Sequence, residues 1–343
     1  MVRVGVIGLG MMGLTHLDIY RKHPGVEVVA LSDTNPDRLA LKAAVAGNIA
    51  GQAQGGDDLA NVRRYDEARK LIEDPDVELV DVCLTTPMHR AYGEAVLAAG
   101  KHLMIEKPLA RTAADAHALA QAAASAPGIA MAGMCMRFWP GWDWLKHAID
   151  EQTYGPLRSL HLHRLASLPP GSFYRDGEGT GGAILDLHIH DTDFVQHCLG
   201  VPDAVHSRGL QGIGGQIDHV ITHYLYEHDD APLVSAHGGW DMAPGYDFQM
   251  RYVANFTDAT AAFDIAAEHP LTLYRDGRAE PVAIPAGMGY EHELAYLIDC
   301  IEQGTAPSRV TLAEAAMAVQ IVEAERESVA SGKAVKVAGV VNS

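Results

Sequence analysis

Val4-Gly5-Val6-Ile7-Gly8-Leu9-Gly10-Met11-Met12-Gly13 joins a short apolar strand pattern to the helical stretch Leu14–His23. Each glycine of this G-x-G-x-x-G has its own physical task. Gly8 permits a tight turn, Gly10 lets another group approach the backbone, and Gly13 lets helix and strand pack closely. A helix starting at such a turn aims unpaired N–H groups, here those of Met11 and Met12, at one point. With the positive end of the helix dipole, that point suits a pyrophosphate. Three glycines alone are weak; the context makes the reading specific. Asp33 ends the next strand pattern twenty residues after Gly13, where a carboxylate accepts hydrogen bonds from ribose hydroxyls. The same carboxylate repels a 2′-phosphate, and Thr34 and Asn35 bring no cation to offset it. Arg38, one helical turn further on, is the group nearest to hand for such a phosphate. NAD is therefore the expected cofactor, with NADP the alternative.

Outward from this motif the same alternation repeats. Short, mostly apolar runs at Val2–Ile7, Val26–Leu31, Leu79–Leu84, His102–Ile105 and Ile129–Met134 have the composition of strands covered on both faces. Alanine-rich helical stretches lie between them at Asp37–Val45, Ala91–Ala99 and Thr112–Ala124, the last opened by Thr112 with Asp115. Strand-helix alternation predicts an α/β fold with a doubly wound parallel sheet. The character changes near Arg137. A helix at Trp142–Glu151 is followed by longer period-two runs at Leu157–Ser167, Val205–Gln211, Val220–Glu227, Phe248–Phe256 and Ala259–Ala266. These predict a mainly antiparallel sheet with one helix-covered face. A helical pattern from Thr311 to Val329 follows, and Gly47–Gly56 reads as a surface loop. Two domains are expected, a dinucleotide-binding one over 1–136 and a second over 137–343.

Composition narrows the partners. The chain of 343 residues has 26 Lys+Arg against 44 Asp+Glu, a formal charge of −18 at pH 7. A surface that acidic repels nucleic acid and anionic membranes. Its 18 histidines would, if all protonated, cancel that charge, so acid is expected to promote self-association. The cysteines Cys83, Cys135, Cys198 and Cys300 form no CxxC pair and read as reduced thiols. Neither a signal peptide nor a membrane-spanning apolar run is evident, so a soluble, cytoplasmic protein is expected.

Two further constellations carry chemistry. Cys83-Leu84-Thr85-Thr86-Pro87-Met88-His89 and Glu106-Lys107-Pro108 fall at the carboxyl ends of predicted parallel strands, where open α/β sheets bind ligands. Thr85, Thr86, Pro87, His89, Glu106 and Lys107 are accordingly expected beside the cofactor. A lysine held there can donate to a substrate oxygen and lower the pKa of a neighbouring base. The second is Gly179 to Phe194, glycines opening a predicted helix on which Asp186, His190 and Asp193 fall at i, i+4 and i+7. A histidine with a carboxylate one turn away suits proton transfer; the bland alternative for both constellations is a solvated surface. His188-x-His190 among Asp186, Asp191 and Asp193 also has metal-ligand composition, as in a metal-dependent hydrolase. On a helix, however, i and i+2 side chains diverge. His161-x-His163 on a predicted strand is better aligned but brings no third ligand, and no metal is expected.

Taken in order, GLGMMG, ALSD, LTTPMH, AGKHLMIEKPLA, MRFWP, GGAILDLHIHDTDF and the segment from EHELAYLIDCIEQGTAP to SGKAV resemble the glucose-fructose oxidoreductase / inositol dehydrogenase family, the Gfo/Idh/MocA group. The resemblance implies an N-terminal Rossmann domain and a C-terminal α+β domain with a large open sheet, through which members pair as homodimers or homotetramers. It implies NAD(P)-dependent oxidation or reduction of sugars, cyclitols or related polyols. Lys107 matches the EKP lysine, with a cis bond expected before Pro108, and Asp186 and His190 match the D-x-x-x-H acid and base. His188 departs from the family, where glycine is frequent. Arg137, Trp139, Tyr174 and His188 are the candidate substrate contacts. Dehydration or glycoside cleavage with transient use of NAD, and a non-catalytic NAD(P)-binding regulator, are the alternatives; a regulator would dispense with Lys107 or His190, and both are present.

Overall fold

Valine, isoleucine and leucine crowd four of the first six strands, Val2–Ile7, Val26–Ser32, Leu79–Val82 and His102–Glu106, because helices cover both faces of the sheet. The computed structural model describes residues 1–42, 59–169, 173–212 and 214–338, so the expected loop Gly47–Gly56 and residues 43–45 of the expected helix lie outside it. The strands are β1 Val2–Ile7, β2 Val26–Ser32, β3 Arg63–Tyr65, β4 Leu79–Val82, β5 His102–Glu106 and β6 Ala130–Gly133. They lie in the order β3-β2-β1-β4-β5-β6, each parallel to its neighbours. The chain leaves β1 on one side and returns to β4 on the other, the switch point at which such sheets bind ligands. Two main-chain bonds tie the carboxyl ends together there. Gly8 N–H donates to Ser32 O and Cys83 N–H to Ile7 O, both at 2.8 Å. Thr112 caps the helix Ala113–Ser125 as expected, accepting the Asp115 N–H at 3.1 Å. The helix expected from Asp37 is shorter than its pattern. It spans Pro36–Leu39, capped by Asn35, and Leu41 already takes a φ of 56°.

The second sheet contains β7 Leu157–Ser167, β8 Ala204–Gln211, β9 Ile217–Leu225, β10 Leu233–Met242, β11 Gln249–Phe256, β12 Thr260–Asp264, β13 Leu271–Arg275, β14 Arg278–Pro281 and β15 Val335–Lys336. Their order is β14-β13-β12-β11-β7-β10-β9-β8-β15. β7 and β10 run parallel and the other neighbours antiparallel. On the covered face, Trp142 packs edge-on against Phe194 at 4.7 Å and Tyr252 at 5.4 Å. β10 has no counterpart among the expected strands, because Gly238 and Gly239 interrupt its pattern. Gly238 has a packing reason: a Cβ there would lie 2.7 Å from His188 Nδ1.

The chain divides into two units, Met1–Met134 with Tyr290–Ala316, and Cys135–Gly289 with Met317–Ser343. A single boundary near residue 136 therefore describes only the first crossing. The segment that returns to the first unit packs on its opening elements: the Tyr290 ring lies 6.3 Å from that of His16, and Glu302 lies 3.8 Å from the Met1 amino group. Among the described residues no helix is long and apolar enough to cross a membrane.

Candidate active site

In the first unit the glycine-rich turn is built as its spacing demands. Gly8 takes a φ of +89°, and a Cβ on it would lie 2.5 Å from Cys83 O. A Cβ on Gly13 would lie 1.8 Å from Gly8 O, so any side chain there would push the helix Met11–Lys22 off the turn. Gly10 caps that helix in extended conformation, with nothing within 4 Å of its Cβ position and no acid in the first turn. The N–H groups of Met11 and Met12 thus begin a helix that carries no acidic residue of its own in the first turn. Asp33 closes the turn from the side: Oδ2 accepts Leu9 N–H and Oδ1 accepts Asn35 N–H, both at 2.8 Å. Arg38 is exposed on the short helix that follows.

The two neighbouring loops are locked to each other. After β4, Thr85 opens a turn over Thr86–Met88, with Thr86 buried and Thr85 and Pro87 exposed. His89 is buried between two carbonyls, its Nδ1 2.8 Å from Pro108 O and its Nε2 2.9 Å from Leu84 O. Burial pushes its pKa below the usual value while the carbonyls oppose that. His89 therefore clamps the loops, and both ring nitrogens already face the main chain. Lys107-Pro108 is cis, as expected, and Lys107 is half-buried at the end of β5. Glu106 is buried, its Oε2 accepting the Lys107 N–H at 3.0 Å.

Beneath these loops lies a group that the motifs gave no reason to connect. His16, on the helix Met11–Lys22, places Nδ1 2.8 Å from Asp81 Oδ2 and Nε2 3.2 Å from Glu106 Oε1, with all three side chains buried. Cys83 Sγ lies 3.3 Å from Asp81 Oδ1. Burial alone would depress the His16 pKa, but Asp81 beside it holds the imidazole well above its ordinary value. The readable signal was Asp81, a carboxylate inside an otherwise apolar strand.

The second unit holds the other motif. Gly182, at φ +78°, opens a short helix Ala183–Asp186, and a separate helix Ile189–Leu199 follows. Leu187 and His188 form the break, so the single continuous helix expected here is two. Asp186 is half-buried and His190 is 9% exposed. The polar stripe expected through Asp193 does not form. Arg137 takes that carboxylate in a buried bidentate pair, Nη2 to Oδ1 at 2.6 Å and Nε to Oδ2 at 2.9 Å. A parallel pair joins Arg164 to Asp191 at 2.8 and 3.1 Å. Arg137 is thus committed to holding the helix rather than to a substrate.

His188, also expected at the substrate, is fully buried. Its Nε2 lies 3.5 Å from Glu325 Oε2 and 3.4 Å from the Tyr224 hydroxyl. Tyr174 is half-buried, its ring edge-on to Trp240 at 5.8 Å in a cluster with Leu187. Trp139 is half-buried at the start of the helix Pro140–Asp150.

Comparisons with known proteins agree with this architecture. A family model described as "Oxidoreductase family, NAD-binding Rossmann fold" matches residues 2–134, and one described as "GFO/IDH/MocA C-terminal domain" matches residues 142–262. The chain is 31% identical over 199 residues to a myo-inositol 2-dehydrogenase of Thermotoga maritima, covering 58% of this chain and 55% of that protein. It is 33% identical over 257 residues to an inositol 2-dehydrogenase/D-chiro-inositol 3-dehydrogenase of Shouchella clausii, covering 72% of this chain and 68% of the relative. The matched stretch thus spans about half the length of the Thermotoga protein. Among solved structures, a levoglucosan dehydrogenase in complex with NADH and levoglucosan superposes with a TM-score of 0.85 at 21% identity, covering 98% of this chain and 100% of that one. A probable dehydrogenase from Thermotoga maritima gives 0.80 at 24%, covering 98% and 99%. At such identities these two likenesses speak to the fold.

Proposed function

Since the chain belongs to the Gfo/Idh/MocA family of oxidoreductases, we propose that it is an NAD-dependent dehydrogenase acting on a CH–OH group of a cyclitol, sugar or related polyol. The observation that carries this is the cradle at Gly8–Gly13. Its open Gly10, its helix start without an acid and the adjacent Asp33 carboxylate fit a dinucleotide. Gly8, Gly10, Met11, Met12 and Gly13 would hold the pyrophosphate through main-chain N–H groups, Asp33 the ribose, and Thr85, Thr86 and Pro87 the next stretch. Bound there, NAD supplies a hydride acceptor.

The chain's own residues do the proton work. His190 accepts the substrate hydroxyl proton, and Asp186 orients its imidazole and stabilises the charged form. Lys107 donates a hydrogen bond to the reacting oxygen, and its positive charge favours the deprotonated form. Glu106 and His89 hold Lys107 and its loop from below. Trp139 and Tyr174, half-buried aromatics, are the substrate contacts in this reading. Pairing of copies through the second sheet goes with it, since the outer face of that sheet exposes Leu210 (64%) and Leu233 (74%).

A panel of cyclitols and sugars, assayed with NAD and NADP for net reduced cofactor, tests the proposal. Net NADH from at least one polyol is expected. Product without net NADH would assign a transient use of the cofactor instead, and bound NAD without turnover a binding protein. His190→Asn should lower kcat about 100- to 10,000-fold while cofactor affinity, measured separately, stays within error.

A further inference from the structure

His188 takes no part in the chemistry proposed above, yet it stands two residues before His190 and is fully buried. Its main chain is the joint between the two helices of the motif. The His188 N–H donates to Ala183 O at 2.8 Å, closing the helix Ala183–Asp186. Its carbonyl accepts the N–H groups of Asp191 at 2.9 Å and Thr192 at 3.1 Å, opening the helix Ile189–Leu199. Resting on the reading of His190 as the base, we propose that His188 is a positioning residue for it. The His188 side chain, locked to Tyr224, Thr192 and Glu325, fixes the joint that sets where His190 stands relative to Asp186.

Three observations carry this. The lock is a hydrogen-bond chain with one direction. An ionised carboxylate only accepts, so the Thr192 hydroxyl donates to Glu325 Oε1 at 3.0 Å. With its proton so used, Thr192 Oγ1 accepts the Tyr224 hydroxyl at 2.9 Å. The Tyr224 oxygen then accepts Nε2–H of His188 at 3.4 Å, and the same Nε2 faces Glu325 Oε2 at 3.5 Å. The chain thus ties the joint to β9 through Tyr224 and to the helix Leu312–Ser331 through Glu325.

Second, the space is cut to the ring. A Cβ at Gly238 on β10 would lie 2.7 Å from His188 Nδ1 and 3.0 Å from its Cβ, so any larger residue there would push the joint away from the sheet. Third, His188, Thr192 and Glu325 have no exposed surface and Tyr224 has 2%. A broken link therefore leaves a buried polar group without a partner, since water does not reach it. Arg164 and Arg137 hold the same helix further along, at Asp191 and Asp193, which leaves its first residue to His188. Placement matters there because an error of about 1 Å in a reacting group can cost about 100-fold in rate.

The test uses the full-length chain. NMR of histidine-labelled protein follows the His190 ring, assigned by its loss in His190→Asn, and the Kd for NAD is measured separately. His188→Gly should move the His190 titration midpoint by roughly half a pH unit or more and lower kcat about 10- to 100-fold, with the Kd for NAD within error. His188→Gln, whose amide N–H can replace Nε2–H, should recover most of both losses. His188→Leu, of similar bulk without a donor, should not. An unchanged His190 titration and kcat in His188→Gly overturns the proposal. Equal recovery by glutamine and leucine overturns it too, because the ring would then only fill space. If the wild type binds NAD but turns over no polyol, the dehydrogenase reading falls, and the His190 titration still decides the positioning role. If His188→Gly fails to fold, Tyr224→Phe, which removes one hydroxyl from the chain, should shift the His190 titration in the same direction; no shift overturns the proposal.

Discussion

Asp33 serves the chain and the proposed cofactor at once. Its two oxygens accept the N–H groups of Leu9 and Asn35, which aims the carboxylate and keeps it beside the glycine turn. Hydrogen bonds to a charged group contribute about 1.5–3 kcal/mol, so Asp33→Ala should raise the KM for NAD about 10- to 100-fold. It should also narrow the preference for NAD over NADP; an unchanged KM ratio would remove Asp33 from the ribose. Residues of this kind were legible because a fixed spacing carries them. Arg137 and His188 were not, since an arginine in MRFWP or a histidine beside His190 reads the same whether it faces a substrate or the core. Only the partners decide: Asp193 for Arg137, and Glu325 with Tyr224 for His188.

At the scale of elements, the helix Met11–Lys22 is fastened to the sheet by more than apolar packing. His16 bridges Asp81 on β4 and Glu106 on β5, linking the glycine turn to the loop that carries Lys107. Removing one partner from a buried ion pair leaves uncompensated charge and costs about 3–5 kcal/mol. His16→Asn should therefore lose stability of that order in urea unfolding at pH 7. The imidazole pKa is raised in the folded chain, so its contribution is complete below the ordinary value of 6.5 and is lost as pH climbs through the folded one. The gap between wild type and variant should then narrow as pH rises above about 6.5; a constant gap would mean that His16 acts by packing alone. The helix Ile189–Leu199 is anchored similarly, by Arg137–Asp193 and Arg164–Asp191. In the first unit the helices His89–Ala98 and Ala113–Ser125 followed from alanine-rich patterns and, for the second, its Thr112 cap, whereas Ala68–Glu73 and Gly289–Gln303 had no counterpart among the expected helices. β10 and the break at Leu187-His188 did not follow either, because packing needs outweighed local propensity at both.

For the whole molecule, the charge of −18 beside 18 histidines predicts stronger self-association as pH falls from 7 toward the mildly acidic range. The structure refines how that happens. His16 is held protonated at neutral pH, and His237 resists protonation until about pH 4, so fewer than 18 imidazoles are available and carboxylates must help neutralise the chain. Static light scattering across that range checks this, and a flat profile would count against it. By itself the sequence determined what depends on near neighbours in the chain: the α/β class, the glycine turn, Asp33 and the expectation of a mainly antiparallel second sheet. Local sterics and a hydrophobic period of two or 3.6 suffice for these. Tertiary structure alone decided which polar groups meet. The return of Tyr290–Ala316 to the first unit and the joining of His16 to Asp81 and Glu106 both bring together residues far apart in the chain. Strand order and register set those meetings, and no local pattern encodes them.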